Sequence, residues 1–398
     1  MNDKIISTDA YKGVRDFYPE DMAIQRYIFD TWSATAESFG FERYDASVLE
    51  PAGLYKAKGA ENEEMVNEQT YTFIDRGDRE VTLRPEMTPT VARMVAGKRR
   101  ELSFPVRWYS IPNLFRYERP QRGRLREHWQ LNCDIFGSSD FTSDVEMITL
   151  ARQTLINFGA SADMFEIRIN NRKVYSDVLL SIARKFDREL TEVQITEIIR
   201  LSDKITKISP DEFISKLKNI VGEKIQVAIS QFVHSPELKS IQMESEAREN
   251  LFMIVDGLTS LGIKVKLDPT LARGFDYYTG TIFEIFDVSG ENNRSMLGGG
   301  RYDNLTEMFG GEAISGIGFG MGDVTMRDFL ETHGLPTANI TAPTVMVIPT
   351  GPALNLAAQK IAQDIRRSEV NVATDISTKK LGKKIGDASE RLVEYIIV

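Results

Sequence analysis

A run of arginines around residue 120 is the clearest sign of chemistry in this chain. Residues 93 to 126 contain ten Lys or Arg against two Glu, although the whole protein carries a formal net charge of -9. Guanidinium groups bind phosphate oxygens in a two-pronged geometry. The run therefore predicts a site for a triphosphate or a nucleic-acid end on the loop arginines Arg119, Arg122, Arg124 and Arg126. A solvated basic surface remains the alternative.

The other reactive residue types limit what the chain can do. Cys133 is the only cysteine and lies in the apolar segment LNCDIFG, which excludes an internal disulfide and indicates a buried thiol. The three histidines, His128, His234 and His333, are not at metal-ligand spacing, so neither a zinc site nor a histidine-based triad is expected. Catalysis would depend on arginines, carboxylates, tyrosines and bound ions.

Composition places the chain among ordinary globular proteins. Its 398 residues are 42% hydrophobic and 27% charged, enough for two or three domains. The N-terminal residues lack a signal-peptide core and no apolar run approaches a membrane span, so we expect a cytoplasmic protein. A pI near 5.2 argues against coating nucleic acid by bulk charge. Local basic surface, around the arginine run and 379-KKLGKK-384, would have to serve any tRNA partner.

Two extended segments flank the arginine loop and predict a β-hairpin over residues 113 to 137. Alternation would place Tyr117 and Arg119 on one face and Arg116 and Glu118 on the other. The first strand would therefore carry polar groups into the loop.

Glycines alternate with apolar residues in 315-SGIGFGMG-322. In a strand, this pattern leaves one face without side chains. Either a flat ligand lies against that bare backbone, or another element packs closely on it. The residues alone leave both interpretations open.

The remaining pattern predicts mixed α and β structure around these segments. A helical stripe follows Pro19 and ends at Gly40, and a second helix is expected over residues 141 to 160. From residue 173 to 263 the stripes are helical, and from 342 onwards strands alternate with helices, which is typical of a small α/β domain.

Four motifs resemble one family. The segment 115-FRYERPQRGRLREHWQ-130 is similar to motif 2 of the class II aminoacyl-tRNA synthetases, in the form found in histidyl-tRNA synthetases. The resemblance extends to 84-RPEMTPT-90, 273-RGFDYYTG-280 and 298-GGGRYDNL-305, and together the motifs cover most of residues 10 to 330 in the family's order.

The resemblance implies an α+β fold with a mostly antiparallel sheet flanked by helices. It implies that residues 1–173 and 251–334 form the catalytic core, 174–250 a helical insertion, and 342–398 an anticodon-binding-like α/β domain that is incomplete at its C-terminal end. The implied reaction joins L-histidine to tRNA(His) with ATP and Mg²⁺, in a homodimer. Mg²⁺ would be held mainly by the ATP phosphates, with Glu118 as a possible ligand.

The resemblance also assigns candidate residues. Arg116 and Arg273 would stabilise the reacting α-phosphate. Histidine would be bound by Glu86, Met87, Thr88, Arg116, Gln130, Asp134, Arg273, Tyr277 and Tyr278. ATP would be bound by Arg116, Glu118, Arg119, Arg124 and His128.

Three of these residues can also be judged by spacing alone. Gln130 and Asp134 are four residues apart on a strand, so they share a face, where Asp134 can accept a hydrogen bond from an imidazole N–H while Tyr277 or Tyr278 addresses the other ring nitrogen. Glu86 precedes a helix beginning near Pro89, and its spacing favours helix capping over ligand binding.

The sequence departs from the family pattern at the adenine site. Thr325 stands where motif 3 usually has an arginine, with Arg327 two residues later, and His128 stands where motif 2 has an aromatic residue. A non-catalytic relative, the histidine-binding regulatory subunit of ATP phosphoribosyltransferase, is therefore an alternative interpretation. An amino-acid adenylating enzyme that does not use tRNA is a third.

Overall fold

The computed structural model describes residues 6–56, 69–202, 205, 208–234, 245–268, 271, 277–291, 295–337 and 342–398. The chain divides into two compact units. One contains residues 6–16 and 25–337, and the other contains residues 17–24 and 342–398. No helix in these described ranges is both long and apolar enough to cross a membrane.

Helices occur throughout the chain. Their bounds are α1 Pro19–Ser38, α2 Gly53–Lys56, α3 Thr88–Lys98, α4 Phe141–Asn157, α5 Arg172–Arg184, α6 Glu192–Ser202, α7 Pro210–Val221, α8 Glu223–His234, α9 Glu246–Ser260, α10 Asp323–Thr332, α11 Asn355–Arg366 and α12 Leu381–Glu390.

The strands of the described residues form three sheets. Their bounds are β1 Glu42–Arg43, β2 Leu49–Pro51, β3 Tyr71–Ile74, β4 Glu80–Leu83, β5 Val106–Ser110, β6 Asn113–Phe115, β7 Glu127–Phe136, β8 Phe165–Asn171, β9 Lys266–Leu267, β10 Thr281–Asp287, β11 Ser295–Arg301, β12 Gly316–Gly322, β13 Val345–Val347, β14 Val372–Thr374 and β15 Tyr395–Ile397.

The large sheet of the first unit has the strand order β1-β5-β7-β12-β11-β10-β8-β9, with β6 paired to β7. The pairs from β5 through to β8 are antiparallel, and only the outer pairs β1–β5 and β8–β9 are parallel. The predicted mostly antiparallel sheet is confirmed.

Helices cover one face of this sheet. The indole of Trp32 on α1 donates to Met321 Sδ at 3.1 Å, and Arg301 on β11 pairs with Asp144 on α4. On the other face, α3 contributes Val91 and other apolar residues to a buried cluster that includes Tyr278 and Tyr302. The candidate functional site lies on this second face.

Local sequence explains where the elements begin and end. Asp140 caps α4 by accepting a hydrogen bond from Thr142 N at 2.8 Å, and Gly159, with φ +91°, follows the end of α4. Pro19 is the first residue of α1, and Gly40, with φ +76°, follows its end. These two predicted helices are confirmed. The small antiparallel sheet β2-β4-β3 contains the hairpin β3–β4.

Between β8 and β9 the described chain is helical, from α5 to α9, as the stripes predicted. The second unit has the parallel order β14-β13-β15 with α11 and α12 between its strands. Val345, Val347, Ala358, Ala362 and Val372 form a core between β13, β14 and α11. The predicted parallel α/β pattern is confirmed.

The hairpin β6–β7 is shorter than predicted on its first side. Arg116 N still donates to Arg126 O at 2.9 Å, but Glu118 N turns back to donate to Arg116 O at 2.7 Å. The predicted alternation through Arg119 is therefore wrong beyond Arg116, because this turn ends the extended backbone.

Candidate active site

The bare face of β12 accommodates side chains from neighbouring strands. Gly318 lies opposite Asp134 on β7, and a Cβ atom at Gly318 would lie 2.5 Å from Tyr302 Oη. A Cβ atom at Gly320 would lie 2.7 Å from the amide carbon of Gln130. No side chain larger than hydrogen fits at either position unless these neighbours move. The glycine pattern thus makes room for polar side chains on this face.

A cavity of about 40 Å³ opens on the same face. A cavity of this size holds roughly three water molecules, which suits a small side chain better than a whole nucleotide. The residues that line it are Glu86, Thr88, Arg116, Gln130, Asn132, Tyr277, Tyr278, Gly298, Tyr302, Gly318, Phe319 and Gly320. Six of the predicted histidine-binding residues therefore meet at one cavity.

Asp134 does not line the cavity itself but contacts the lining residue Tyr302, and it is 3% exposed. Its Oδ1 accepts a hydrogen bond from the hydroxyl of Tyr302, while its Oδ2 is buried without a partner in the described part of the chain. Burial raises the pKa of Asp134 to about 7, and the Tyr302 hydrogen bond opposes that rise. Such a carboxyl group is suited to accept a hydrogen bond from a polar ligand.

Three tyrosines surround the cavity. The rings of Tyr277 and Tyr278 are 4.8 Å apart, and Tyr302 lies edge-on to Tyr277 at 5.9 Å. Burial and the nearby Glu86 carboxylate raise the pKa of Tyr277 well above its usual value, and burial with Asp134 does the same for Tyr302. Both phenols therefore stay protonated at neutral pH.

The prediction that Glu86 caps a helix is wrong. The residue before α3 is Met87, and no side-chain hydrogen bond caps this helix. Instead, Glu86 lines the cavity, and its Oε2 accepts a hydrogen bond from Tyr277 Oη at 3.2 Å. Met87 differs from the prediction as well, because its side chain is fully buried beside Arg84 and does not line the cavity.

Arg116 is the arginine that lines the cavity. Its Nε donates to Pro85 O at 2.8 Å, which anchors the side chain against the segment that carries Glu86. Arg273, the second candidate for the α-phosphate, lies outside the described residues. Its convergence with Arg116 therefore stays a prediction.

The loop arginines differ in their surroundings. Arg124 pairs with Glu118 at 2.7 Å, and Arg122 pairs with Asp328 at 2.8 Å. Arg119 is exposed and has no ion pair among the described residues. Arg126 is buried, and its guanidinium lies 3.9 Å from the centre of the Tyr117 ring. The expected group of four triphosphate-binding arginines is wrong for Arg126, which has a structural position.

His128 is on the same face of β7 as Gln130, since the two are two residues apart. Burial, together with the charges of Arg116 and Arg15, lowers the pKa of His128 to about 3. Its ring is therefore neutral at physiological pH. Thr325 donates to Met296 O at 3.1 Å and to Gly322 O at 3.0 Å, so its hydroxyl is occupied within the fold.

Comparison with known proteins identifies the family. The histidyl-tRNA synthetase family model matches residues 13–323, and an anticodon-binding-domain model matches residues 344–398. The chain belongs to the histidyl-tRNA synthetase family. A histidine–tRNA ligase from Leptospira biflexa is 40% identical over 406 aligned positions, covering 100% of this chain and 91% of the relative. A histidine–tRNA ligase from Haloarcula marismortui is 36% identical, and the alignment covers 98% of this chain and 90% of the relative.

Solved structures share the fold of this synthetase-family chain. A histidyl-tRNA synthetase from Nostoc superposes with a TM-score of 0.78 at 24% identity, covering 99% of this chain and 92% of that one. A Bacillus halodurans protein described as an ATP phosphoribosyltransferase regulatory subunit/histidyl-tRNA synthetase superposes with a TM-score of 0.74 at 20% identity. The match covers 99% of this chain and 98% of that one. The class II core fold expected from the motifs is confirmed.

Tyr302 and Asn132 are cavity residues of this family member that the sequence analysis missed. Both have a positional signal in the sequence. Asn132 lies midway between Gln130 and Asp134 on β7, and Tyr302 directly follows β11, opposite the glycines of β12. Asp134 bonds Tyr302 and Tyr277 bonds Glu86. The predicted roles of Asp134 and of Tyr277 or Tyr278 toward the two imidazole nitrogens stay predictions.

Most of the basic run in this synthetase-family chain is paired. Arg93, Arg99 and Arg107 pair with Glu50, Glu312 and Glu146. In the 379-KKLGKK-384 stretch, Lys379 and Lys383 share Asp387, and Lys384 is buried near Asp375. The unpaired basic surface is therefore smaller than the sequence suggested.

Protein side chains alone offer little to a metal ion. Among the described residues, no group of three His, Cys, Asp or Glu could hold one. Glu118, the expected possible ligand, is 11% exposed and paired with Arg124. A carboxylate held in this way fits a Mg²⁺ ion only as one ligand beside phosphate oxygens.

Proposed function

We propose that this chain is a histidine–tRNA ligase. It would activate L-histidine with ATP, release pyrophosphate, and transfer the histidyl group to the 3′ end of tRNA(His). The observation that carries the proposal is the cavity, where polar side chains from separate segments meet. One of them, Tyr302, bonds the buried Asp134, whose Oδ2 has no partner among the described residues. Membership of the histidyl-tRNA synthetase family supports the same reaction.

The imidazole ring enters the cavity in this proposal. Asp134 accepts a hydrogen bond from one ring N–H through Oδ2, while Tyr302 holds Oδ1 in place. Glu86, which Tyr277 already orients, accepts hydrogen bonds from the α-ammonium group together with Thr88. A side chain without a ring N–H would leave the Asp134 carboxyl group buried and unsatisfied, which gives the site its specificity.

The chemical step is the attack of the histidine carboxylate on the α-phosphorus of ATP. A bond forms between a carboxylate oxygen and phosphorus while the bond to the pyrophosphate oxygen breaks, and no protein nucleophile takes part. Negative charge on the α-phosphoryl oxygens is stabilised by Arg116, whose anchoring at Pro85 holds it at the cavity. Arg273 is the proposed second cation.

ATP would bind along the hairpin outside the cavity. The neutral ring of His128 offers a stacking surface for adenine, and the exposed Arg119 offers a cation for the outer phosphates. Arg124 would exchange its partner Glu118 for a phosphate, which frees the Glu118 carboxylate for the adenine amino group or for Mg²⁺. Mg²⁺ would neutralise phosphate charge when bound.

The proposal also covers the contacts with tRNA and the oligomeric state. The helices α5 to α8 would approach the tRNA acceptor arm, and the second unit, whose sequence matches the anticodon-binding model, would contact the anticodon. We place the functional domain boundaries near residues 174, 250 and 342. The working form would be a cytoplasmic homodimer.

Pyrophosphate exchange tests the proposal. The pure protein is incubated with ATP, Mg²⁺ and labelled pyrophosphate, with histidine or one of the other amino acids. Label should enter ATP only with histidine, and a non-catalytic histidine sensor would give no exchange. Total tRNA is then added, and histidyl-tRNA should form. Exchange without any charging would point instead to an adenylating enzyme that does not use tRNA.

A further inference from the structure

Asp323 connects three parts of the fold at the outer end of β7. This residue begins α10 and is fully buried. Its Oδ2 accepts hydrogen bonds from Arg15 Nη2 at 2.7 Å and Gln25 Nε2 at 3.0 Å, and its Oδ1 accepts one from Trp129 N at 2.9 Å. The carboxylate therefore holds the Arg15 guanidinium beside the strand residue that follows His128.

The segment before Arg15 is fixed against the arginine loop. Arg126 N donates to Gly13 O at 2.7 Å, and the Arg126 guanidinium donates to Tyr11 Oη at 3.1 Å. Gly13 has φ +89°, and a Cβ atom there would lie 2.8 Å from Arg126 Cδ. The backbone that leads to Arg15 is therefore fixed in position, and the Arg15 side chain is 21% exposed.

His128 and Arg15 are electrostatic neighbours, because the charge of Arg15 contributes to the lowered pKa of His128. A neutral aromatic ring and a guanidinium at the same end of β7 are complementary to a purine, since guanidinium groups stack on flat π systems.

The basic residue of α10 is paired on its own helix and is not the partner of His128. Thr325, where the family resemblance led us to expect an arginine, bonds backbone carbonyls, and Arg327 pairs with Glu331 on its own helix at 2.8 Å. A guanidinium whose charge acts on His128 comes instead from the N-terminal segment, where Asp323 holds Arg15.

We propose that Arg15 is a nucleotide-binding residue that packs against the adenine ring of ATP, with His128 on the ring's other side. Asp323 acts as its positioning residue. The inference deepens the proposed function, on which it rests, by assigning the purine contact to the N-terminal segment.

Three variants test the inference. ATP affinity is measured by calorimetric titration without histidine, and the KM values for ATP, histidine and pyrophosphate are measured by exchange. Arg15→Gln should weaken ATP binding about tenfold and leave the KM values for histidine and pyrophosphate unchanged. Arg15→Lys can keep the ion pair with Asp323 but lacks the planar group, so its ATP affinity should stay low. Arg327→Gln is the matched control and should behave as wild type.

Two results would overturn the inference. One is full recovery of ATP affinity in Arg15→Lys, which would reduce the role of Arg15 to its charge. The other is an equal loss of histidine and ATP affinity in Arg15→Gln with a lower melting temperature, which would indicate a structural role. Because the titration needs no catalysis, its result is separate from the ligase proposal, which fails if wild type shows no histidine-dependent exchange or shows exchange without charging of tRNA.

Discussion

Replacing Asp134 with asparagine removes one hydrogen-bond acceptor and preserves the size and the other hydrogen bond of the side chain. The amide oxygen of Asp134→Asn can still accept the hydrogen bond from Tyr302, so the wall of the cavity keeps its shape. The atom in place of Oδ2 becomes an NH₂ group, which donates and cannot accept from an imidazole N–H. The ligand ring would then face a donor at the position of Oδ2, which in wild type has no partner among the described residues.

The size of the effect follows from the burial of this group. Asp134 is 3% exposed, so water cannot replace the lost acceptor. A hydrogen bond to a charged group contributes about 1.5–3 kcal/mol, and each 1.4 kcal/mol changes an equilibrium about tenfold. We therefore expect kcat/KM for histidine to fall about 10- to 100-fold. Asp134→Ala also removes the partner of Tyr302, and its exchange activity should fall to background.

Steady-state pyrophosphate exchange measures this effect with histidine and ATP varied separately. The loss should appear with histidine, while the KM for ATP stays within about twofold, because the adenine is proposed to bind outside the cavity. Asp256→Asn, on the exposed side of α9, is the matched control and should be silent. Histidine kinetics of Asp134→Asn within about twofold of wild type would refute the pocket assignment.

Three further outcomes are expected. Because burial raises the pKa of Asp134 to about 7, the native protein binds its proton more tightly than the unfolded chain. The unfolding free energy of wild type should therefore fall, relative to Asp134→Asn, as pH rises from about 4 to about 7, by on the order of 4 kcal/mol in urea titrations. Gly318→Ala should lower histidine affinity at least tenfold by calorimetry, because the added Cβ overlaps Tyr302 Oη. Gly97→Ala is the control: its added Cβ has no atom within 4 Å, so histidine affinity should be unchanged. Tyr302→Phe leaves Asp134 Oδ1 without its donor and should raise the KM for histidine about tenfold, and an unchanged KM would argue against this tyrosine's role.

The fold could be predicted where short-range rules decide it. Asp140 and Gly159 bracket α4 because capping and a positive φ depend on local residue type. The glycine alternation of β12 follows from the two-residue period of a strand. The same period places Gln130 and Asp134 on one face of β7.

The site contacts that were wrong or missed depend on packing between distant segments. Glu86 lies before a helix, yet Tyr277, 191 residues away, sets its position at the cavity. Tyr302 bonds Asp134 across a separation of 168 residues. Spacing along the chain cannot reveal such pairs, since packing between segments that are distant in sequence brings them together. The pairing of most basic side chains with carboxylates was hidden for the same reason.

The most direct test of the whole account is a crystal structure of this protein with L-histidine bound. We expect the imidazole in the cavity, with one ring nitrogen within about 3.2 Å of Asp134 Oδ2 and the α-ammonium group at Glu86. Histidine bound elsewhere, or its ring turned away from Asp134 while Oδ2 stays without a partner, would contradict the account.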